Sequence, residues 1–206
     1  MKKFIIITSI FDPTEAIAAF SKLSDWTVVV VGDKKTNVNW YHPNIIYLSP
    51  DDQCNFNKSF SNQLPWNTYA RKNLGYLYAV SCEADVIYET DDDNIPLENW
   101  VGEPEFNTNA DRINGSGFVN IYSYFTDEKV WPRGFPLNQI LSDNNFFIEQ
   151  ISSNKIGVWQ FLADEDPDVD AIYRLTNNNP IYFNTRNPLV LSKGLCCPFN
   201  SQNTYF

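Results

Sequence analysis

Continuous apolar runs rich in β-branched residues recur through the first half of the chain, and helix signals separate them. The runs are Phe4–Thr8, Trp26–Val31, Ile45–Leu48 and Ala84–Thr90. Each has the length of a strand and lacks polar alternation, which is typical of strands buried on both faces. Helix signals lie at residues 12–23 and over Trp66–Ser81. Strands alternating with helices predict an α/β fold with a mostly parallel central sheet flanked by helices.

The second half of the chain has sparse helix signals and more Asn, Pro and Gly. We predict strands at residues 118–125, 144–151, 156–162, 181–183 and 189–191, a loop at Val130–Leu137 and a short helix within Pro167–Leu175. The polar stretch Asp51–Pro65 is predicted to be irregular. No linker or internal repeat interrupts the 206 residues, so we expect a single domain over 1–206. Its nucleotide-binding-like half covers 1–98, and its mixed, loop-rich half covers 99–206.

Charge and cysteine usage exclude several classes of protein. The formal charge of −10 argues against a nucleic-acid partner, because phosphate backbones attract basic surfaces. No apolar stretch approaches the ~18 residues of a membrane span, so we expect no transmembrane segment. The four cysteines form no CxxC pair, which argues against structural zinc. We therefore expect a cytoplasmic protein in a reducing compartment.

The strongest candidate for a functional site is the acidic triplet Asp91–Asp93. It directly follows the predicted strand Ala84–Thr90, and open α/β sheets bind ligands at the carboxyl ends of their strands. Side chains two residues apart in an extended segment point the same way, so Asp91 and Asp93 can face one cation. Their hard oxygen atoms suit Mn²⁺ or Mg²⁺, which can in turn hold a diphosphate. The alternative is a solvated acidic turn.

Two further segments of the first half carry charges suited to a nucleotide. Arg71 and Lys72 lie early in the helix that precedes the acidic triplet, where they can contact a donor nucleotide or phosphate. Asp33 lies in Gly32–Lys35, after the second strand, where an acid can contact a base or ribose. The alternatives are a solvated helix face and an ordinary Gly-Asp-Lys turn.

Two segments of the second half are candidates for the acceptor side. Two prolines and Gly134 stiffen the loop Trp131–Leu137, in which Arg133 can act as a fixed cation. The segment Asp164–Asp170 holds five carboxylates, any of which could be the general base that deprotonates an acceptor hydroxyl. The alternatives are a surface loop and acids that favour a helix N-terminus.

Taken together, these segments resemble the STELLO glycosyltransferase-like family, which is known from plant Golgi proteins with microbial relatives. The resemblance spans nearly the whole chain. It rests on residues 8–10, 13–16, 26–33 (WTVVVVGD), 71–76 (RKNLGY), 91–93 (DDD), 130–137 (VWPRGFPL), 164–175 (DEDPDVDAIYRL) and 199–204 (FNSQNT). It implies a GT-A fold, in which a DXD motif binds a nucleotide-sugar through a divalent metal.

The resemblance also implies roles for individual residues on the donor side. Asp93 would be the direct metal ligand, and Asp91 would lie nearer the ribose and the metal's waters. The site residues predicted to bind the nucleotide or its sugar are Thr8, Ser9, Asp33, Arg71, Lys72, Asp91, Asp92 and Gly134. The donor is expected to be a UDP-sugar, with Mn²⁺ or Mg²⁺ as the cofactor.

On the acceptor side, the resemblance makes Asp168 the expected base, with Asp166 and Asp170 as rivals and Arg133 beside them. The acceptor would be a hydroxyl of a glycan, lipid or protein. One departure from the GT-A pattern is the lack of a metal-binding His near the C-terminus. The alternatives are that Asn200, Ser201 or water substitutes for it, or that the site is incomplete.

Two other functions stay open. The DDD triplet, the loop around Arg133 and the Pro167–Ala171 segment also resemble the reversibly glycosylated polypeptides, or UDP-arabinopyranose mutases. These isomerise a nucleotide-sugar and can glycosylate themselves on arginine, for which Arg133 is the candidate. The third possibility is a non-catalytic interaction domain that retains the GT-A fold.

The distribution of acidic residues makes metal dependence a specific expectation. Eight of the 25 acids lie in two short segments, three in Asp91–Asp93 and five in Asp164–Asp170. An acidic cleft repels a bare nucleoside diphosphate, so we expect the diphosphate to bind only together with a cation.

Overall fold

The computed structural model describes residues 1–98, 100, 107–141, 147–198 and 203–206. Its strands are β1 (Lys3–Thr8), β2 (Trp26–Val31), β3 (Ile45–Leu48), β4 (Val86–Glu89), β5 (Asn107–Asn114), β6 (Gly117–Phe118), β7 (Phe147–Lys155), β8 (Trp159–Gln160), β9 (Leu189–Leu191), β10 (Leu195–Cys196) and β11 (Thr204–Tyr205). Its helices are α1 (Glu15–Phe20), α2 (Pro50–Phe56), α3 (Lys58–Gln63), α4 (Lys72–Ser81), α5 (Tyr122–Phe125) and α6 (Ala171–Thr176). None of the helices in these ranges is long and apolar enough to cross a bilayer.

The described residues fall into two compact units. The first takes those of Met1–Pro104, Val158–Gln160 and Ser201–Phe206, and the second takes those of Glu105–Gly157 and Phe161–Asn200. The acidic triplet therefore belongs to the first unit, whereas the segment Asp164–Asp170 belongs to the second.

A six-stranded sheet organises the first unit, in the order β3-β2-β1-β4-β11-β8. The first four strands in this order are parallel, and β11 runs antiparallel to both of its neighbours. The mixed α/β class with a mostly parallel central sheet is thus confirmed. The predicted bounds of β2 and β3 match the structure, and β1 and β4 differ by one or two residues at their ends.

Both faces of this sheet are buried, as the continuous apolar runs predict. Ile5 and Ile7 of β1 pack on the same side as Ile17 and Phe20 of α1. Phe4 and Ile6, which alternate with them, belong to the opposite cluster with residues of α4. Each fully buried Ile contributes about 1.5–3 kcal/mol relative to an exposed one.

Helix α4 lies unusually close to the sheet because of Gly75. A Cβ atom at this position would lie 2.4 Å from Cγ2 of Ile6 and 2.9 Å from Cγ2 of Val31. Only a glycine permits this approach, which fixes the position of α4, and of Lys72 at its start, against β1 and β2.

The prediction that Asp51–Pro65 is irregular is wrong, because this stretch contains α2 and α3. Ser49 and Asp52 form a reciprocal capping box at the start of α2, where Pro50 occupies the first turn. The side chain of Asn57 caps α3. These caps, rather than an apolar stripe, define the two short helices, which is why a search for apolar periodicity misses them.

Other helix bounds also differ from those predicted. Helix α4 begins at Lys72, and a 3₁₀ turn at Tyr69–Arg71 precedes it. Helix α1 ends at Phe20, and the side chain of Thr14 caps it by accepting a hydrogen bond from the amide of Ile17. The predicted helices that correspond to α1 and α4 therefore lie in the right places but are too long.

In the second unit, β5 pairs antiparallel with β7 and parallel with β9, and β6 pairs with β10. The predicted strand over Phe118–Phe125 is wrong, because this segment contains the end of β6 and helix α5. Ile181 makes only an isolated bridge to Glu165. The predicted strand at residues 144–151 corresponds to β7 from Phe147 onward, and residues 144–146 lie outside the described residues.

Candidate functional site

The parallel strands of the first unit bring their carboxyl ends to one edge of the sheet. The amide of Ser9, just after β1, donates to the carbonyl oxygen of Val31 at the end of β2 over 3.2 Å. The amide of Thr90, just after β4, donates to the carbonyl oxygen of Ile6. Predicted site residues from different parts of the chain thus gather at this edge, where open α/β sheets bind ligands.

The three carboxylates of the acidic triplet have three different environments. Asp91 is 8% exposed, and its Oδ1 lies 2.8 Å from the Nζ atom of Lys72. Asp92 is half-buried and accepts a hydrogen bond from the hydroxyl of Ser9. Asp93 is exposed. Asp93 is therefore the most exposed of the three carboxylates.

Asp92 fixes the acidic triplet to the loop after β1. Its backbone carbonyl accepts a hydrogen bond from the Thr14 hydroxyl over 2.5 Å, while its carboxylate receives the Ser9 hydroxyl. Burial raises the pKa of Asp92, and the negative charges of Asp93 and Asp91 raise it further, against the hydrogen bond from Ser9. A cation at this edge would relieve that repulsion.

Asp33 is buried beside the same edge and connects two loops. Its Oδ1 accepts a hydrogen bond from the amide of Lys34 over 2.6 Å, and its Oδ2 accepts one from the amide of Asn67 over 2.8 Å. The hydroxyl of Thr36 donates to the carbonyl of Ser9 over 2.9 Å and accepts from the amide of Asp33. Sequence patterns gave no signal for the contact of Thr36 with Ser9, because the two residues are 27 positions apart.

Arg71 lies in the interior, with 1% of its surface exposed. Its guanidinium donates to the side chain of Gln53, to the carbonyl and hydroxyl of Ser61 and to the carbonyl of Leu64. It also stacks on the ring of Trp66, 3.6 Å from the ring centroid. These contacts hold the segments around α2 and α3 together, and a direct nucleotide contact from Arg71 stays a prediction.

Several buried polar atoms near this edge have no hydrogen-bond partner among the described residues. They are Oγ1 of Thr8, Oε1 of Glu89 and Nδ2 of Asn94. Burial raises the pKa of Glu89 to about 7, despite the nearby charge of Lys72. The hydroxyls of Tyr88 and Thr90 both donate to the side-chain oxygen of Asn203. The sequence indicates Asn203 only as part of the segment 199–204.

In the second unit, Arg133 and Asp168 form an ion pair with Nε and Oδ1 2.8 Å apart. The backbone reinforces the pair, because the amide of Arg133 and the hydroxyl of Tyr122 both donate to the Asp168 carbonyl over 3.1 Å. The Arg133 side chain is 74% exposed and that of Asp168 is 18% exposed. Gly134 has a φ of +81°, a conformation that favours glycine and turns the loop after Arg133.

The rival acids of the same segment have structural partners. Asp166 forms an ion pair with Arg174. Asp170 accepts a hydrogen bond from the amide of Ile172 over 2.8 Å and so caps α6. A helix opened by acids was predicted here, and α6 confirms it with a later start, at Ala171.

A divalent cation fits the donor chemistry of the first unit only in part. Asp91 and Asp93 offer hard oxygen atoms, but among the described residues no group of three His, Cys, Asp or Glu could hold a metal. A diphosphate and water would therefore have to complete the coordination. Asn200 and Ser201, the suggested substitutes for a His ligand, lie outside the described residues.

Comparison with known proteins addresses the whole chain. No protein-family model matches it. The protein named "Probable glycosyltransferase STELLO2" of Arabidopsis thaliana is 29% identical over an alignment that covers all of this chain. "Probable glycosyltransferase STELLO1" of the same plant is 28% identical over the same share. The chain is similar to these two proteins over its whole length.

The chain spans only 29% of the length of those two relatives. Because the alignments cover its full length, they include the sheet edge of the first unit and the Arg133–Asp168 pair of the second. The resemblance expected from the motifs is confirmed.

Proposed function

We propose that this STELLO-like chain is a metal-dependent glycosyltransferase that moves a sugar from a nucleotide-sugar donor, a UDP-sugar, to an acceptor hydroxyl. The observation that carries the proposal is the placement of Asp91–Asp93 directly after β4, at the carboxyl edge of a parallel sheet. The names of the two relatives, which are called probable glycosyltransferases, support the same class of reaction.

The residues of the first unit have distinct roles in this proposal. Asp93, the exposed carboxylate, would bind Mn²⁺ or Mg²⁺ together with the diphosphate of the donor. Ser9 and Thr14 hold Asp92 and so fix the turn that presents Asp93. Asp33 and Thr36 would shape the adjacent place for the base or ribose. When bound, the cation would lower the charge on the leaving diphosphate.

In the transfer step, the bond between the anomeric carbon and the phosphate oxygen breaks, and a bond from that carbon to the acceptor oxygen forms. The nucleoside diphosphate leaves with the bonding electrons, and the acceptor gives up its hydroxyl proton. We propose Asp168 as the base that takes this proton, because Arg133 holds its carboxylate in a fixed orientation. A cytoplasmic location and a glycan, lipid or protein acceptor are parts of the same proposal.

Calorimetry with UDP-sugars and GDP-sugars in the presence of Mn²⁺ tests the donor side. We expect saturable binding of at least one UDP-sugar and a loss of more than about tenfold in affinity for Asp93→Asn. The matched control is Asp25→Asn, an exposed aspartate before the amino end of β2 and so at the opposite edge of the sheet. Binding of no donor by a folded protein would refute the proposal.

The mutase function is separated from transfer by incubation with UDP-arabinose and mass spectrometry. The exposed side chain of Arg133 makes it accessible to self-glycosylation. A self-adduct on Arg133, or a change in the ring size of the sugar, would support the mutase, whereas transfer to an added acceptor supports the proposal.

A further inference from the structure

Lys72 is a buried lysine whose charge is directed at the acidic triplet. Only 3% of its surface is exposed. Its Nζ atom donates to Oδ1 of Asp91 over 2.8 Å and to the carbonyl oxygen of Thr90 over 3.0 Å. Burial removes the solvation of both charges, so the ion pair contributes little to stability. A role in fixing one arrangement of the site would account for its presence.

The neighbours of Lys72 hold it in place from both sides. Arg71, the preceding residue, is anchored by its hydrogen bonds to Gln53 and Ser61. Gly75, one turn later, lies against Ile6 and permits no larger residue without a shift. The ammonium group is therefore carried by a rigid support rather than by a flexible surface side chain.

Charge balance at the triplet depends on this lysine. The three carboxylates and the ammonium together carry a formal charge of −2, from three negative charges and one positive charge. That charge matches a divalent cation. The ammonium lies 2.8 Å from Oδ1 of Asp91, so a cation bound to the same oxygen would be close to a positive charge that repels it.

We propose that Lys72 is a positioning residue that reserves Asp91 for an internal ion pair, so that Asp93 alone of the two supplies the metal-binding carboxylate. The inference rests on the proposed donor site. It gives Lys72 a role different from a contact with the donor phosphate, and it gives Asp91 a role different from that of a metal ligand.

The test is a titration of the purified chain with MnCl₂, alone and with UDP, in which electron paramagnetic resonance measures free Mn²⁺. We expect Asp93→Asn to weaken Mn²⁺ binding by more than about tenfold, because it removes the metal ligand, and Asp91→Asn to weaken it by only about two- to threefold, because it removes one negative charge but no ligand. Equal losses for the two variants would overturn the inference.

Lys72→Met gives a second test, because the proposal predicts a gain in Mn²⁺ affinity, whereas a folding defect would cause a loss. With the ammonium removed and Asp91 released, we expect Mn²⁺ alone to bind about three- to tenfold more tightly, and Lys72→Met combined with Asp91→Asn to lose that gain. Lys72→Arg should resemble the unmodified chain, and Lys22→Met, at an exposed site, is the control. Weaker UDP binding without metal, and no gain in Mn²⁺ affinity, would instead support a phosphate contact and overturn the inference.

The two proposals can fail separately. If the unmodified chain binds Mn²⁺ with UDP but depends equally on Asp91 and Asp93, the positioning role is wrong and the donor site stands. If it binds no Mn²⁺ even with UDP, both proposals are refuted.

Discussion

Replacement of Arg71 by methionine should destabilise the fold strongly. The guanidinium makes five hydrogen bonds, two to Gln53, two to Ser61 and one to Leu64. Gln53 is 0% exposed and Ser61 is 1% exposed, so their acceptors cannot turn to water when the donor is lost. Each unsatisfied buried acceptor costs about 1–3 kcal/mol. With two or three such groups left without a donor, we expect a loss of about 3–5 kcal/mol.

Urea denaturation followed by circular dichroism measures this loss as a lower transition midpoint at an unchanged slope. Arg71→Lys keeps the charge but not the fork of donors, and we expect it to lose about 2–3 kcal/mol. The control Lys35→Met, at an exposed position, should stay within about 0.5 kcal/mol of the unmodified chain.

Nucleotide affinity separates a structural role of Arg71 from a donor contact. If Arg71 acts only in the interior, the folded Arg71→Lys protein binds UDP with Mn²⁺ within about twofold of the unmodified affinity. A stability loss below about 1 kcal/mol, together with a large loss of UDP affinity, would refute this reasoning and favour the donor contact.

Two further predictions concern the packing and the electrostatics of the first unit. Gly75→Ala should lower the thermal midpoint and cost about 1–3 kcal/mol, because the added Cβ would lie 2.4 Å from a methyl group of Ile6; an unchanged midpoint would contradict this. In the folded chain burial raises the pKa of Glu89 from 4.5 to about 7. Ionisation of this buried carboxyl therefore lowers the free energy of unfolding as the pH rises from 4.5 to about 7. Glu89→Gln should therefore stabilise the chain by up to about 3 kcal/mol at about pH 8.5, and by less at about pH 5, in urea titrations; an equal effect at both values would contradict the assignment.

The strands of the first unit could be predicted because their signal is local. Trp26–Val31 and Ile45–Leu48 are continuous apolar runs, and the structure gives β2 and β3 the same bounds. Helices α2 and α3 were not predicted, because their stability comes from caps and from the contacts of Gln53 and Ser61 with Arg71. Arg71 is 18 positions from Gln53 and 10 positions from Ser61 in the sequence. Strand β5 was missed because its sequence NTNADRIN has no apolar alternation.

The candidate site also contains residues that the sequence singles out and contacts that it does not. The position of Asp91–Asp93 after a predicted strand singled out the triplet, and the stiff loop singled out Arg133, whereas only the family resemblance favoured Asp168 among the acids of its segment. The ion pair between Arg133 and Asp168 is seen only in the structure, and the functional roles of these residues stay predictions. The pairing of Lys72 with Asp91 could not be predicted, because it depends on how closely α4 packs against the sheet. The two residues are 19 positions apart in the sequence. A sequence shows that a charged residue is present, but tertiary packing decides which residue pairs with it.

Binding of a UDP-sugar in the presence of Mn²⁺ and then of excess EDTA tests the central claim most directly. The acidic triplet Asp91–Asp93 lies at this edge and Asp93 is exposed there, so the edge should repel a bare diphosphate. We predict that calorimetry detects the donor with Mn²⁺, that EDTA abolishes the signal, and that added Mn²⁺ restores it. Donor binding of equal strength in EDTA would contradict a metal-dependent glycosyltransferase site at this edge.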